Sequence, residues 1–165
     1  MPMHYVQAPI VATEYNPKPW IFLAGGITGC PGWQSEVKKA LSDIEQDITL
    51  INPRRDDFDV TNPDESLNQI RWERRHLNRC ELISFWFAKE TIQPIALFEL
   101  GRFVDTPQSL VIGIHPEYPR RMDVEIQVTL ARPDFRFAYS LSFLVAGIKT
   151  WIDTRADMVE RGMIK

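Results

Sequence analysis

The stretch that decides the fold is Trp20-Ile21-Phe22-Leu23-Ala24, which is followed at once by Gly25-Gly26. A continuous apolar run of this length that ends in glycines is typical of a strand buried on both faces of a parallel sheet. Beyond Gly29-Cys30-Pro31-Gly32, apolar residues recur at spacings of three and four, which predicts a helix over about residues 32–45. The segment therefore predicts a strand, a glycine-rich turn and a helix.

The same alternation of strand and helix continues along the chain. Strands are predicted at 48–51, 82–87, 109–114 and 135–139, and helices at about 64–79, 95–104, 123–130 and 141–151. This order predicts an α/β fold with a doubly wound, mostly parallel five-stranded sheet and helices on both faces. A flavodoxin-like strand order, 2-1-3-4-5, is expected, with ligands bound at the switch point between strands one and three.

Residues 20–152 form the predicted single domain. Residues 1–19 contain several prolines and no steady periodicity, so an irregular N-terminal arm is expected, and residues 153–165 are expected to form a charged tail. A chain of 165 residues, 44% hydrophobic and 25% charged, is long enough to bury a core without disulfides or structural metal. Small stapled domains are therefore excluded.

Charge and cysteine content bear on the class of protein. Nineteen Lys and Arg against 22 Asp and Glu give a net charge of −3, which disfavours nucleic-acid polymers as partners. Cys30 and Cys80 form no C-x-x-C pair and the histidines show no ligand spacing, so no metal and no cofactor is expected. Neither a signal-peptide pattern nor an apolar run of membrane-spanning length is present, which predicts a cytoplasmic protein without a membrane segment.

Three segments that follow strands are expected to meet at one edge of the sheet: residues 24–29, 53–63 and 88–99. The Gly-Gly-x-x-Gly pattern in the first lacks the dinucleotide fingerprint and a phosphate-loop lysine. Its glycines allow a ligand to approach the backbone, and they equally suit a tight turn. Trp86, at the end of a predicted strand, belongs either to the core or to a site where it stacks on a flat base.

Two glutamates are candidate catalytic groups. Glu99 falls early in a predicted helix among apolar residues, where the helix dipole favours its ionised form and burial disfavours it. This position suits either a nucleophilic carboxylate or an exposed ion pair with Arg102. Glu73 follows Trp72 on another helix and is either a second acid or a solvated charge near Arg74. Retaining glycosyl transfer requires two carboxyl groups about 5–5.5 Å apart.

Five motifs in this order resemble the nucleoside 2-deoxyribosyltransferase family. They are Ala24-Gly25-Gly26-Ile27-Thr28-Gly29, Gln69-Ile70-x-Trp72-Glu73, Phe85-Trp86-Phe87, Pro94-Ile95-x-Leu97-x-Glu99-Leu100-Gly101 and the segment from His115 to Gln127. The resemblance covers about residues 20–151 and implies a flavodoxin-like fold, exchange of the base of a 2′-deoxynucleoside with a free nucleobase, and a homo-oligomer with sites shared between subunits.

The resemblance also implies roles for individual residues. Glu99 matches the nucleophile that attacks C1′, giving a covalent glycosyl-glutamate intermediate and retention, and Glu73 matches the acid that handles the base or its proton. Well-known members carry aspartate at the position of Glu73. The remaining implied contacts are a nucleoside wall of Gly25, Gly26 and Ile27, a base neighbourhood with Asp57 and Phe58, and Asp123 offered to an adjacent subunit's sugar.

Three departures from the family pattern change expectations for the substrate. Gln93 stands where well-known members have an acid six residues before the nucleophile, so base recognition or sugar anchoring differs there. The chain continues to Lys165, whereas those members place their C-terminal carboxylate near the sugar. Asn62 stands where relatives often have aspartate, and we expect it to change tolerance at the sugar 2′ position.

Two other functions are compatible with the sequence. A nucleoside or nucleotide N-glycosidase would use the same glutamate with water as the acceptor. A non-catalytic nucleotide-binding module is also compatible, because doubly wound folds host binding as readily as chemistry.

Overall fold

The computed structural model describes residues 3–59 and 61–164, so residues 1, 2, 60 and 165 of the predicted arm, loop and tail lie outside the described residues. Its strands are β1 (His4–Gln7), β2 (Trp20–Gly25), β3 (Thr49–Asn52), β4 (Leu82–Phe87) and β5 (Ser109–Ile114). Its helices are α1 (Trp33–Ala40), α2 (Pro63–Leu77), α3 (Pro94–Phe103), α4 (Arg121–Ala131) and α5 (Leu141–Glu160). The strands form one parallel sheet in the order β1-β3-β2-β4-β5, which confirms the predicted α/β architecture.

The strands bury both faces, because successive side chains point to opposite sides of the sheet. Phe22 of β2 belongs to the core on the side of α2, α3 and α4, where Trp72 and Leu100 pack. Ile21, one residue earlier, belongs to the core beneath α1 and α5. Continuous apolar strands therefore reflect burial between two helical layers.

The N-terminal arm differs from the sequence-based expectation, because it contains an edge strand. Residues His4–Gln7 pair in parallel with β3, in the register that puts Val6 opposite Ile51. Only Val6 among these four residues is buried. A strand this short, with a single buried apolar side chain, carries too little periodicity to distinguish it from a loop.

The strand predicted at 135–139 is wrong. Ala138 makes a single bridge to Gly113, with hydrogen bonds to the backbone of Ile112 and Ile114. Phe135 and Phe137 pack against the core, which explains their strand-like alternation. Residues 132–140 form only this one bridge with β5, and β1 supplies the fifth strand at the opposite edge of the sheet.

Helix boundaries also shift at both ends of the domain. Helix α1 stops at Ala40, whereas α5 continues to Glu160 and includes most of the predicted tail. Helix α2 is capped by Asn62, whose side chain accepts a hydrogen bond from the Asp64 amide, so the helix begins at Pro63, one residue before its predicted start. Among the described helices, none combines the length and apolar character that crossing a membrane requires.

Strand β2 lies between β3 and β4. From β2 the chain goes first to β3 on one side and later to β4 and β5 on the other, so the direction in which strands are added reverses at β2. In an open parallel sheet, this switch point opens a crevice beyond the carboxyl ends of the strands. The segments that follow β2, β3 and β4 therefore meet at one edge, as predicted from the sequence.

Candidate active site

A cleft of about 790 Å³ opens at the switch point of the sheet. Its walls come from the loops after β2 and β3, from one face of α2 and from the start of α3. The predicted residues that line it are Gly25, Gly26, Ile27, Phe58, Glu73, Gln93 and Glu99. Both candidate carboxyl groups therefore face one cavity, large enough for a small organic ligand.

Glu99 lies on α3 with 7% of its surface exposed. Burial, and to a lesser extent the nearby charge of Glu73, raise the pKa of its carboxyl from 4.5 to about 8, while Arg102 opposes the shift. The guanidinium of Arg102 donates to the side chain of Asn78, at 3.1 Å. The reading of Glu99 as an exposed ion pair with Arg102 is therefore wrong.

Glu73 lies on the same helix face as Gln69, one turn away. Its Oε1 accepts a hydrogen bond from Gln69 Nε2, at 2.9 Å, and burial raises the pKa of the carboxyl despite that bond. Its neighbour Arg74 is exposed to solvent. Two carboxyl groups with raised pKa values in one cleft are characteristic of acid–base and nucleophilic chemistry.

The glycine loop is shaped by close packing as well as by access to the cleft. Gly25 adopts φ +143°, and a Cβ there would lie 2.2 Å from the carbonyl oxygen of Trp86. A Cβ on Gly26 would lie 2.3 Å from Cys30 Sγ. Only glycine therefore fits this tight turn, which also lines the cleft, and the approach of a ligand to its backbone stays a prediction.

A match to a known family complements this geometry. A model of the family described as nucleoside 2-deoxyribosyltransferase like matches residues 18–118, which is more than half of the chain. The chain belongs to this family. A comparison with curated proteins finds no match.

The matched region of this nucleoside 2-deoxyribosyltransferase-like chain includes both glutamates and all the walls of the cleft. It also includes Gln93, the residue that caps α3 in the left-handed conformation, with φ 56°. Gln93 is buried, and its Nε2 donates to the carbonyls of Ala88 and Thr91. A non-glycine residue in this conformation is strained, and such strain persists where surrounding contacts enforce it.

Two arginines line the cleft on the β3 side, and both already have partners within the chain. Arg55 pairs with Asp57 at 3.1 Å and with Glu65 at 2.7 Å, and its guanidinium lies 5.7 Å from the ring centre of Phe58. Arg54 donates to the carbonyls of Cys30 and Pro31, each at 3.0 Å, and so ties the loop after β3 to the loop after β2.

Four predicted site residues do not line the cleft. Asp57 is exposed and holds Arg55, and Asn62 caps α2. Trp86 is buried beneath α1 and α5. Of the two roles expected for it, it therefore has the core role and does not stack on a base in the cleft. Asp123 is an exposed residue of α4 that pairs with Arg120, and its predicted contact with a neighbouring subunit stays a prediction.

Sequence reasoning missed several side chains of the cleft. Gln69 is the most informative, since its spacing of four residues from Glu73 on a helix is a signal that the sequence does contain. Others are Arg54, Arg55, Asp56, Ser66, Ile70, Thr91, Ile92 and Ile95. No group of three or more His, Cys, Asp or Glu residues suited to a metal ion occurs within residues 3–59 and 61–164.

Proposed function

We propose that this protein is a nucleoside 2-deoxyribosyltransferase that exchanges the base of a 2′-deoxynucleoside through a covalent glycosyl-glutamate intermediate. The observation that carries the proposal is that buried Glu99 and Glu73 line one cleft of a chain from this family and influence each other electrostatically. Two neighbouring carboxyl groups allow one to act as the nucleophile while the other acts as the acid.

The exchange consists of two displacements at C1′. In the first, a carboxylate oxygen of Glu99 forms a bond to C1′ while the bond from C1′ to the base nitrogen breaks. The departing electron pair stays on the base, which takes a proton from Glu73. In the second, a nitrogen of an incoming base attacks C1′, gives its proton to Glu73 and releases Glu99. Two inversions give overall retention.

The charges around the cleft favour a substrate without a phosphate. Arg55 is neutralised by two carboxylates, and Arg54 is held by backbone carbonyls of the glycine-loop region. A phosphate at these side chains would have to displace existing partners. An uncharged nucleoside requires no such rearrangement.

A homo-oligomer that shares sites between subunits is the second part of the proposal. Exposed apolar side chains recur along α4 at Met122, Ile126 and Leu130, at the spacing of one helix face. Such a stripe is typical of a surface that a partner covers. Light scattering of the purified chain would measure its mass in solution, and a monomer at all concentrations would contradict this part.

The decisive experiment incubates the purified protein with 2′-deoxyadenosine, 2′-deoxyinosine, 2′-deoxycytidine or thymidine, with and without a different free base. Chromatography should reveal a new deoxynucleoside only when the acceptor base is present. Glu99→Ala should lose at least about 1,000-fold in turnover while remaining folded by circular dichroism. Mass spectrometry of the wild type with donor alone should detect the deoxyribosyl adduct on the peptide that contains Glu99.

Other outcomes of this experiment assign other functions. Free base released without any new nucleoside would establish the N-glycosidase. Binding of nucleoside without consumption, unaffected by Glu99→Ala, would establish a non-catalytic binding module. Retained exchange in Glu99→Ala would overturn the role of Glu99.

A further inference from the structure

The side-chain amide of Gln69 links the loop after β3 to one of the two carboxyl groups of the cleft. Its Nε2 donates to the carbonyl of Pro53 at 2.8 Å and to Oε1 of Glu73 at 2.9 Å. An amide nitrogen carries two hydrogens, so these two acceptors use its whole donor capacity. The side chain is thus held at two points, one in the loop and one on its own helix.

The orientation of this amide follows from its neighbours. Both partners are acceptors, so a flipped amide would place its oxygen against theirs. In the orientation observed, Gln69 Oε1 is buried and has no hydrogen-bond partner within residues 3–59 and 61–164. A buried acceptor without a donor costs free energy. The side chain therefore satisfies the Pro53 carbonyl and the Glu73 carboxyl and leaves its own oxygen unpaired.

The hydrogen bond from Gln69 acts differently on the two forms of the Glu73 carboxyl. An N–H donor stabilises the ionised form, so this bond lowers the pKa of Glu73, whereas burial raises it more strongly. The bond also makes the two carboxyl oxygens unequal. Because Oε1 accepts from Gln69, a proton that Glu73 gains favours the other oxygen, Oε2.

Other charged groups at the cleft come from the elements that face α2. Glu99 on α3 interacts electrostatically with Glu73. In the loop after β3, Arg54 and Arg55 already have partners within the chain, and Asp56 is exposed to solvent. The side-chain amide one turn away is therefore the neighbour that donates to the Glu73 carboxyl.

We propose that Gln69 is a positioning residue for Glu73, an inference that rests on the proposed function. It holds Oε1 of the acid, so that Oε2 exchanges the proton with the departing and the incoming base. Its second bond, to Pro53, fixes the carboxyl relative to the loop after β3, which forms another wall of the cleft. The spacing of four residues on one helix face brings the amide and the carboxyl together.

The test uses Gln69→Met, which keeps the length of the side chain and removes both donors. NMR of labelled glutamate carboxyl groups, with the Glu73 signal assigned by its loss in Glu73→Gln, should show that Glu73 titrates at higher pH in this variant. The pH profile of kcat/KM should also move to higher pH, because the pair of carboxyl groups ionises less readily. At the optimum, kcat should decrease by about 10- to 100-fold, with a smaller change in KM.

Asn68→Met is the matched control. It also replaces an amide with a thioether on α2, but at an exposed position that does not line the cleft. It should change neither the titration of Glu73 nor the pH profile. An unchanged Glu73 titration in Gln69→Met would overturn the proposal even if kcat decreased. Lower stability without a change in titration or pH profile would mean that Gln69 only ties α2 to Pro53, which also overturns it.

A measurement on the wild type tests the same contact without any variant. The side-chain amide signals of Gln69, assigned through its own backbone amide, should shift with pH at the midpoint of the Glu73 titration, because the donor senses the charge on its acceptor. Signals that stay constant through that titration would contradict the proposal. If no deoxynucleoside is exchanged, the proposed function fails, whereas the two titrations still decide whether Gln69 holds the Glu73 carboxyl.

Discussion

At the scale of single residues, burial determines how Glu99 depends on pH. A carboxyl group whose pKa is raised from 4.5 to about 8 in the folded protein holds a proton that the unfolded chain has released. Between these two pH values the folded state binds more protons, so the free energy of unfolding decreases as pH rises. In the proposed mechanism Glu99 must be ionised while Glu73 holds a proton, so the exchange requires the one proton of this pair of carboxyl groups to lie on Glu73.

Glu99→Gln should therefore stabilise the fold increasingly from pH 5 to pH 8. The amide cannot ionise, so the variant avoids a cost that grows by up to about 1.4 kcal/mol per pH unit in the wild type. Urea denaturation of both proteins at pH 5, 6.5 and 8 measures the difference. Glu90→Gln, at an exposed position, is the control and should show no such trend. A constant difference at all three pH values would contradict the raised pKa.

The sequence was sufficient to predict that Glu99 is buried near the switch point, and it contains the spacing that brings Gln69 to Glu73 but not the contact that fixes the Gln69 amide. Apolar neighbours and an early position on a predicted helix both mark Glu99, and these are local features. The orientation of the Gln69 amide depends on the carbonyl of Pro53, which accepts a hydrogen bond from Nε2 and belongs to a different segment of the chain. Trp86 shows the same limit, because the layer of helices that covers it is set by the crossovers and not by its neighbours in sequence.

At the scale of secondary-structure elements, Asn62 connects the loop after β3 to α2. Its Oδ1 accepts from the Asp64 amide at 3.0 Å, and Pro63 occupies the first helical position. Helix α2 carries both Gln69 and Glu73, so its start fixes one wall of the cleft. The cap was not predicted, because Asp64 and Ser66 are equally good capping residues and only the backbone decides where the helix begins.

Asn62→Ala should lower the free energy of unfolding by about 1 kcal/mol, because one backbone amide of α2 loses its acceptor. Asn62→Asp should retain wild-type stability, since aspartate caps equally well and its charge interacts favourably with the helix dipole. Urea denaturation at pH 7 measures both, and equal losses in the two variants would argue against a capping role. The Asp variant also tests the sequence-based expectation at the sugar: an unchanged ribose-to-deoxyribose preference would dispose of it.

The sheet was predictable in its interior and not at its edges. The apolar runs of β2, β4 and β5 are long and buried. By contrast, β1 has one buried residue, and the 135–139 segment has alternating aromatics but pairs with β5 through a single bridge. Pairing at an edge depends on which segment the rest of the fold places beside the outer strand. That choice depends on contacts far apart in the chain, which local patterns do not record.

At the scale of the whole molecule, His76 connects the N-terminal arm to the body of the domain. Its ring is fully buried, with Nδ1 2.7 Å from the carbonyl of Trp72 and Nε2 accepting from the Ala12 amide at 3.0 Å. Nδ1 must therefore carry the proton, and the ring must be neutral. Burial lowers the pKa of this histidine, with Arg75 and Arg79 acting in the same direction, whereas the bond to Trp72 opposes them.

The arm should detach locally as the solution becomes acidic. Because the folded pKa of His76 is lower than its ordinary value of 6.5, its contribution to stability is present above pH 6.5 and is lost as pH falls through the folded value. Protonation of Nε2 would place two donors, the ring N–H and the Ala12 amide N–H, against each other. Hydrogen exchange, corrected for intrinsic rates, should therefore lose protection at Ala12 between pH 7 and pH 5 while Ile83 in β4 stays protected. Constant protection at Ala12 over that range would mean that His76 does not control the arm. The variant His76→Phe removes the acceptor at every pH, so its Ala12 amide should be unprotected already at pH 7.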